Sequence, residues 1–104
     1  MGAIRVLHLG EVVGRCGRKA LKTYINRLDE EIDFLITNAE NAAGGFGLTK
    51  NVAEELFSLG IDCLTLGNHA WSKKEGIEII ESDPRILRPA NYPQGVAGRG
   101  AGIF

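Results

Sequence analysis

The segment Asp33–Asn41 has the sequence Asp-Phe-Leu-Ile-Thr-Asn-Ala-Glu-Asn, in which an apolar run of strand length is followed at once by amide and carboxylate side chains. Two other segments share this plan. Ile4–Leu9 leads into Gly10–Glu11, and Ile61–Leu66 leads into the Gly-Asn-His sequence of Gly67–His69. Continuous apolar runs are typical of parallel strands that are covered on both faces. The sequence therefore predicts three buried strands with polar residues at their carboxyl ends.

Helical patterns separate these apolar runs. The first helix is predicted over Arg18–Leu28, where apolar residues three and four positions apart form one face. That face consists of Ala20, Leu21, Tyr24, Ile25 and Leu28. Thr49 is a typical N-cap for a second helix, which the glycine at Gly60 would end. Its predicted inner face is Val52, Ala53, Leu56 and Phe57. A third helix is predicted over Lys74–Glu81.

Strands that alternate with helices predict βαβ units, and therefore an α/β fold with a mainly parallel sheet. Ile86–Arg88 is a candidate fourth strand and Ala101–Phe104 a candidate fifth. A strand that starts at the last residues suggests a fragment, so we expect residues 1–104 to be the N-terminal part of a larger domain. In such sheets ligands bind beyond the carboxyl ends of the strands. This rule selects the residues just after Leu9, Thr37 and Leu66.

Composition and charge exclude several classes of protein. The chain has 104 residues and a formal net charge of −1, which argues against binding extended nucleic acid or an anionic membrane surface. No apolar run approaches the ~20 residues that span a bilayer. Cys16 and Cys63 lie far apart in the sequence, so both are interpreted as free thiols of a cytoplasmic protein.

The predicted strand ends combine two carboxylates, two amides and one imidazole: Glu11, Glu40, Asn41, Asn68 and His69. Carboxylate and amide oxygens suit Mg²⁺ and Mn²⁺, and imidazole also suits Fe, Mn and Zn. A carboxylate between two such ions can bridge them, and the ion pair can then clamp a phosphoryl group. A neighbouring histidine can protonate the leaving oxygen. The pattern therefore favours phosphoester hydrolysis.

Four segments of this sequence closely resemble the YmdB-like bacterial metallophosphoesterases of the calcineurin-like superfamily: Gly10–Gly14, Asn38–Gly47, Leu66–Trp71 and Arg88–Pro93. The resemblance covers essentially the whole chain. It implies part of an α/β/β/α sandwich and a phosphodiesterase that uses two divalent metal ions (Mn, Fe, Mg or Zn). It also implies a small phosphodiester substrate, such as a 2′,3′-cyclic nucleotide, rather than a membrane or an extended nucleic acid.

The resemblance also implies a role for each matching residue. Glu11 would bind the first metal, and Glu40 would bridge the two metals. Asn41 would lie beside that bridge and hold phosphate or solvent, and Asn68 would bind the second metal. His69 would be the catalytic acid or would stabilise the developing charge.

Two departures from the family pattern keep other interpretations open. The family has Asp where this chain has Glu11, and its remaining metal ligands are histidines of a second half, whereas this chain has only His8 and His69. His8 is interpreted as a core or sheet histidine. The alternative function is a non-catalytic or self-associating module, with a homo-oligomer expected.

Three further interpretations rest on single positions. Gly10, Gly14 and Gly17 lie between the first predicted strand and helix, but they do not have the G-x-G-x-x-G spacing of dinucleotide-binding proteins. A Rossmann fold is therefore a less favoured interpretation than the phosphoesterase. The Trp71 side chain is expected either to line the candidate site or to belong to the hydrophobic core. Arg88 and Asn91 are candidates for contact with phosphate or with a partner subunit.

Overall fold

The structure, a computed structural model, describes residues 2–104. The chain forms four strands, three α-helices and one turn of 3₁₀ helix. In chain order these elements are β1 (Val6–Glu11), α1 (Gly14–Asn26), β2 (Phe34–Asn38), α2 (Lys50–Ser58), β3 (Cys63–Thr65), the 3₁₀ turn (Asn68–Trp71), α3 (Lys74–Ser82) and β4 (Ile86–Leu87).

The four strands form one parallel sheet in the order β1-β2-β3-β4. Because each strand lies beside the next one in the sequence and parallel crossovers share one hand, the three helices cover the same face. The smallest dimension of the molecule, 19 Å, agrees with one helical layer on one sheet. The predicted α/β fold with a parallel sheet is confirmed.

The core lies between the sheet and the helices. Leu64 and Ile86 contribute from the strands, and Leu56 and Ile80 contribute from α2 and α3, all of them almost completely buried. Thr49 caps α2 as predicted, because its Oγ1 accepts a hydrogen bond from the Val52 backbone N–H at 3.2 Å. The predicted caps and inner face of α2 are therefore confirmed.

The opposite face of the sheet, called the open face below, has no layer of helices. Register places Val6, His8, Phe34 and Ile36 on this face, and Val6 is 56% exposed. The expectation that the strands are covered on both faces is therefore wrong for residues 2–104. His8 is a sheet histidine, one of the two predicted alternatives, because it lies exposed in β1.

The predicted fifth strand at Ala101–Phe104 is also wrong. In the part of the chain that the structure describes, a single parallel bridge between Leu87 and Arg99 extends the sheet beyond β4. The last residues cross the open face instead, and the Phe104 ring meets Phe34 edge-on with 5.4 Å between centroids. Packing this half-exposed ring against Phe34 competes with extending the sheet, because residues 101–104 cannot do both.

The first helix begins earlier and buries a narrower face than predicted. It starts at Gly14, and its core contacts are made by Leu21 and Ile25. The sequence predicts Ala20 and Tyr24 on the inner face of α1, but both are exposed. The reason is that α1 lies beside the edge strand β1, and no other element of residues 2–104 covers its outer side. In the described part of the chain, no helix is both long and apolar enough to cross a membrane.

Candidate active site at the carboxyl ends of the strands

Backbone hydrogen bonds tie the three strand ends together. The Val12 N–H donates to the Asn38 carbonyl at 3.0 Å, and the Gly14 N–H donates to the Asn41 carbonyl at 3.0 Å. On the other side, the Ala39 N–H donates to the Thr65 carbonyl at 2.8 Å. These bonds bring the segments after β1 and β3 against the Asn38–Asn41 segment, as the parallel topology predicts.

The sequence predicts that Glu11 lies one residue beyond the first strand. In the structure Glu11 is the last residue of β1. The ladder contains a β-bulge at this point. Leu9 pairs with Thr37, but the next pair joins Glu11 to Asn38, so Gly10 is the extra residue. Bulges commonly redirect a side chain next to a functional site, and here the redirected side chain is a candidate metal ligand.

Asn41 links the first and third strand ends through its side-chain amide. Its Nδ2 donates a hydrogen bond to Glu11 Oε2, and its Oδ1 lies 2.5 Å from His69 Nδ1. Because an amide oxygen can only accept, the hydrogen of this second bond belongs to His69 Nδ1. The neutral imidazole therefore has its lone pair on Nε2.

Glu40 lies against the same imidazole and is only 18% exposed. Its Oε2 is 3.6 Å from His69 Nδ1 and accepts a hydrogen bond from the His69 backbone N–H at 3.3 Å. The carboxylate also packs on the Cα of Gly67, where a side-chain methyl would overlap it. Glu40 is thus held by the third strand end as well as by its own segment.

Asn68 is the predicted site residue that the structure joins least closely to the others. It begins the 3₁₀ turn and is exposed. Its chain neighbours Gly67 and His69 both contact Glu40, so its backbone lies beside the site. Within residues 2–104, the hydrogen bonds that join Glu11, Asn41 and His69 do not extend to the Asn68 side chain.

Comparison with known proteins identifies the family of this chain. The model of the family described as YmdB-like protein matches residues 7–104. The chain belongs to the YmdB-like family. The resemblance noted in the four sequence segments is thereby confirmed over nearly the whole chain.

Three relatives illustrate the YmdB-like family. A 2′,3′-cyclic-nucleotide 2′-phosphodiesterase of Bacillus subtilis is 43% identical over 93% of this chain and 38% of its own length. A Mycoplasma genitalium protein, provisionally named a phosphatase/phosphodiesterase, is 34% identical over 100% of this chain and 39% of its own length. A crystal structure titled as a novel phosphatase from Mycoplasma pneumoniae superposes with a TM-score of 0.91 at 31% identity, over 100% of this chain and 39% of that one.

The chain therefore spans less than two fifths of the length of these YmdB-like relatives. Among residues 2–104, no group of three or more His, Cys, Asp or Glu side chains lies close enough together to hold a metal ion. The donors that are present fit a hard divalent cation in their chemistry, since they are carboxylate and amide oxygens. They belong to four side chains, whereas each such ion takes at least six ligands.

The YmdB-like sequence also contains a residue next to the site that the sequence analysis missed. Arg18 of α1 is 16% exposed, and its Nη1 donates to the Ala42 carbonyl at 2.6 Å while its Nε donates to Glu55 at 3.0 Å. The guanidinium thus joins α1, α2 and the residue after Asn41. An arginine three positions before Leu21, on the inner face of α1, is the signal that could have revealed it.

Two aromatic and basic candidates have structural contacts. Trp71 packs against the core and meets Tyr92 edge-on, with 5.4 Å between ring centroids. Arg88 donates from Nε to the Ala97 carbonyl at 3.1 Å and from Nη1 to the Pro89 carbonyl at 3.0 Å. Arg88 therefore holds the proline-rich loop, and phosphate contact by Arg88 or Asn91 stays a prediction.

Proposed function

We propose that this chain contributes part of the active site of a metal-dependent phosphodiesterase that hydrolyses 2′,3′-cyclic nucleotides or similar small phosphodiesters. The observation that carries the proposal is the connected set formed by Glu11, Asn41 and His69, with Glu40 against the imidazole. The names of the relatives from Bacillus and Mycoplasma support the reaction class. The whole protein's activity and substrate are part of the proposal.

In this function His69 is the proton donor to the leaving oxygen. Its Nδ1–H is engaged by Asn41, which fixes the tautomer and leaves Nε2 to hold the transferred proton. The Glu40 carboxylate lies 3.6 Å from Nδ1 and accepts from the His69 backbone N–H, so it helps to hold His69 in position. The side chain of His69 is 44% exposed, so a substrate can reach it.

Glu11, Glu40, Asn41 and Asn68 are the residues that we propose to hold two divalent ions, with Mn, Fe, Mg and Zn as candidates. Bound ions of this kind would supply charge neutralisation on the phosphoryl oxygens and an activated water at neutral pH. One oxygen of the Glu11 carboxylate accepts from the Asn41 amide, so Glu11 would bind an ion through its other oxygen with this hydrogen bond intact. The remaining ligands are proposed to come from protein outside residues 2–104.

The test is Mn²⁺ binding by the purified chain, followed as paramagnetic line broadening in ¹H–¹⁵N spectra. Mn²⁺ is expected to broaden the amide signals of Glu40, Asn41 and His69 first. Glu40→Gln removes the charge at the proposed bridge and is expected to weaken binding at least about tenfold, because even outer partners of metal ligands contribute that much.

The matched control is Glu54→Gln, which removes an exposed carboxylate from α2 on the helical side. It is expected to leave Mn²⁺ affinity unchanged. Broadening centred away from the strand ends would contradict the proposal, and so would equal affinities for the two glutamine variants.

A second candidate function, a self-associating module, is favoured by one observation. Val6 is 56% exposed on the open face, and Ile4 just before it is 77% exposed. Exposed apolar surface next to an edge strand promotes pairing between chains. A homo-oligomer built on this face is compatible with the phosphodiesterase.

Cys16 and Cys63 are free thiols, as predicted, and the cytoplasmic location stays a prediction.

A further inference from the structure

We propose that Thr37 is a positioning residue, whose buried hydroxyl holds the β-bulge at Gly10 and thereby directs Glu11 toward Asn41. The proposal rests on the proposed function only where it treats Glu11 as a functional carboxylate. Thr37 lies in the middle of the sheet and belongs to none of the motifs that suggested the site.

The first step concerns the bulge itself. Leu9 pairs with Thr37 and Glu11 pairs with Asn38, so one residue of β1 is inserted between two successive pairs. Bulges are rare between parallel strands. The ladder continues beyond it, because the Val12 N–H donates to the Asn38 carbonyl at 3.0 Å. The inserted residue, Gly10, is therefore a local feature of an otherwise regular pairing.

The second step concerns side-chain direction. In a regular ladder Gly10 would pair with Asn38, and Glu11 would take the next position, whose side chain points to the opposite face. The bulge instead gives Glu11 the position opposite Asn38. A shift of one residue thus moves this carboxylate from the helix-covered face to the face on which Asn38 lies. There it accepts the hydrogen bond from Asn41.

The third step concerns what keeps the bulge in place. Thr37 Oγ1 donates to the Gly10 carbonyl at 2.9 Å. Thr37 is completely buried and points into the helix-covered face, between Leu9 and Leu64 in the register. A hydroxyl buried among leucines needs a partner, and in the bulged register the Gly10 carbonyl supplies it. The hydroxyl therefore stabilises the register in which this carbonyl comes within its reach.

The test compares Thr37→Val, which keeps the shape and removes the hydroxyl, with Thr37→Ser, which keeps the hydroxyl and removes the methyl. The readout is the ¹H–¹⁵N spectrum of the metal-free chain. In Thr37→Val the Asn41 side-chain NH₂ signals are expected to move to the position of a solvent-exposed amide. The Val12 N–H is expected to exchange about tenfold faster, since one buried hydrogen bond is worth about that factor in a local opening equilibrium.

Thr37→Ser is expected to restore both signals, although it is less stable than the wild type because of the lost methyl. Thr23→Val is the control, because it also removes a hydroxyl that donates to a backbone carbonyl but lies in α1 away from the bulge, and it is expected to leave the Asn41 signals in place. Unchanged Asn41 signals in folded Thr37→Val would overturn the proposal. A serine variant that behaves like the valine variant would also overturn it.

A measurement on the wild type keeps the proposal testable if Thr37→Val does not fold. The Thr37 hydroxyl proton is expected to exchange slowly and to show a nuclear Overhauser effect to the Glu11 amide proton. A rapidly exchanging hydroxyl would refute the role of Thr37. All of these readouts are metal-free, so failure of Mn²⁺ binding would count against the proposed function and leave the role of Thr37 standing.

Discussion

At the scale of single residues, the site depends on how closely the chain approaches the Glu40 carboxylate. Gly67 lies where β3 leads into the 3₁₀ turn, and the carboxylate of Glu40 fills the space that a side chain would take. Glu40 is mostly buried there, and it accepts from the His69 backbone. The glycine of the Gly-Asn-His motif is therefore required by the position of Glu40, since its own φ of −137° is open to other residues.

Gly67→Ala is expected to destabilise the chain by about 1–3 kcal/mol, because the added methyl must displace Glu40 or shift the backbone. The measurement is urea unfolding followed by circular dichroism. Gly10→Ala is the control, since a methyl at Gly10 meets open space. The control is expected to change stability by no more than about 0.5 kcal/mol. Similar losses for both variants would show that Glu40 does not restrict the space at Gly67.

The sequence is sufficient to predict which candidate site residues lie close together, and insufficient to predict the hydrogen bonds that hold them. Glu11, Glu40, Asn41 and His69 were predictable because each follows an apolar run, and parallel strands bring their carboxyl ends to one edge. The hydrogen bonds that orient these side chains depend on the register of the strands. A one-residue bulge leaves no mark in the hydrophobic pattern, so the role of Thr37 could not be inferred from it.

At the scale of elements, the turn from α3 to β4 is fixed by one ion pair. Asp83 follows the last turn of α3, and its carboxylate accepts from the Arg85 side chain at 2.7 and 3.0 Å and from the Arg85 backbone at 2.9 Å. The Arg85 guanidinium also lies over the Phe57 ring of α2 at 3.7 Å. Together these contacts join α2, α3 and β4 at the edge of the sheet that is remote from β1.

Asp83→Asn tests this junction through its pH dependence. Hydrogen bonds from the Arg85 guanidinium lower the pKa of Asp83, against the opposing effect of partial burial. Since the folded-state pKa lies below the usual value of about 3.9, the stabilisation is complete above pH 4 and is lost as pH falls through the folded-state pKa. Arg85 is half exposed, so about 1 kcal/mol is expected at pH 7.

The measurement is the free energy of unfolding of the wild type and of Asp83→Asn between pH 7 and pH 2. The difference between the two proteins is expected to shrink below about pH 4. Asp29→Asn, at an exposed position between α1 and β2, corrects for the general loss of an aspartate. A difference that stays constant across this range would mean that the ion pair does not stabilise the turn.

At the scale of the whole molecule, the two faces of the sheet are unlike. One face is buried under three helices, whereas the other exposes Val6 and His8 and is crossed by the last residues of the chain. The hydrophobic pattern predicts β1 to β4 correctly because both faces of these strands are largely apolar in sequence. It could not reveal which face is covered within residues 2–104, since that depends on where the crossovers pass.

Self-association through the open face is tested by light scattering after size exclusion, over a range of chain concentrations. Val6→Lys places a charge on this face and is expected to shift the chain toward the monomer, since a charged side chain is costly to bury in an apolar contact. Tyr24→Lys, at a 49% exposed position on α1, is the control and is expected to have no effect. A wild-type chain that is monomeric at every concentration would rule out the module.

The contact between Phe104 and Phe34 has a consequence for anything that docks on the open face. Phe104 is tethered to the same chain, so it competes for Phe34 at a high effective concentration, whereas an incoming surface competes at its concentration in solution. The observed affinity of that surface is reduced by the fraction of molecules in which the tail is docked. Displacing Phe104 from Phe34 is therefore part of the free-energy cost of any contact that covers this ring.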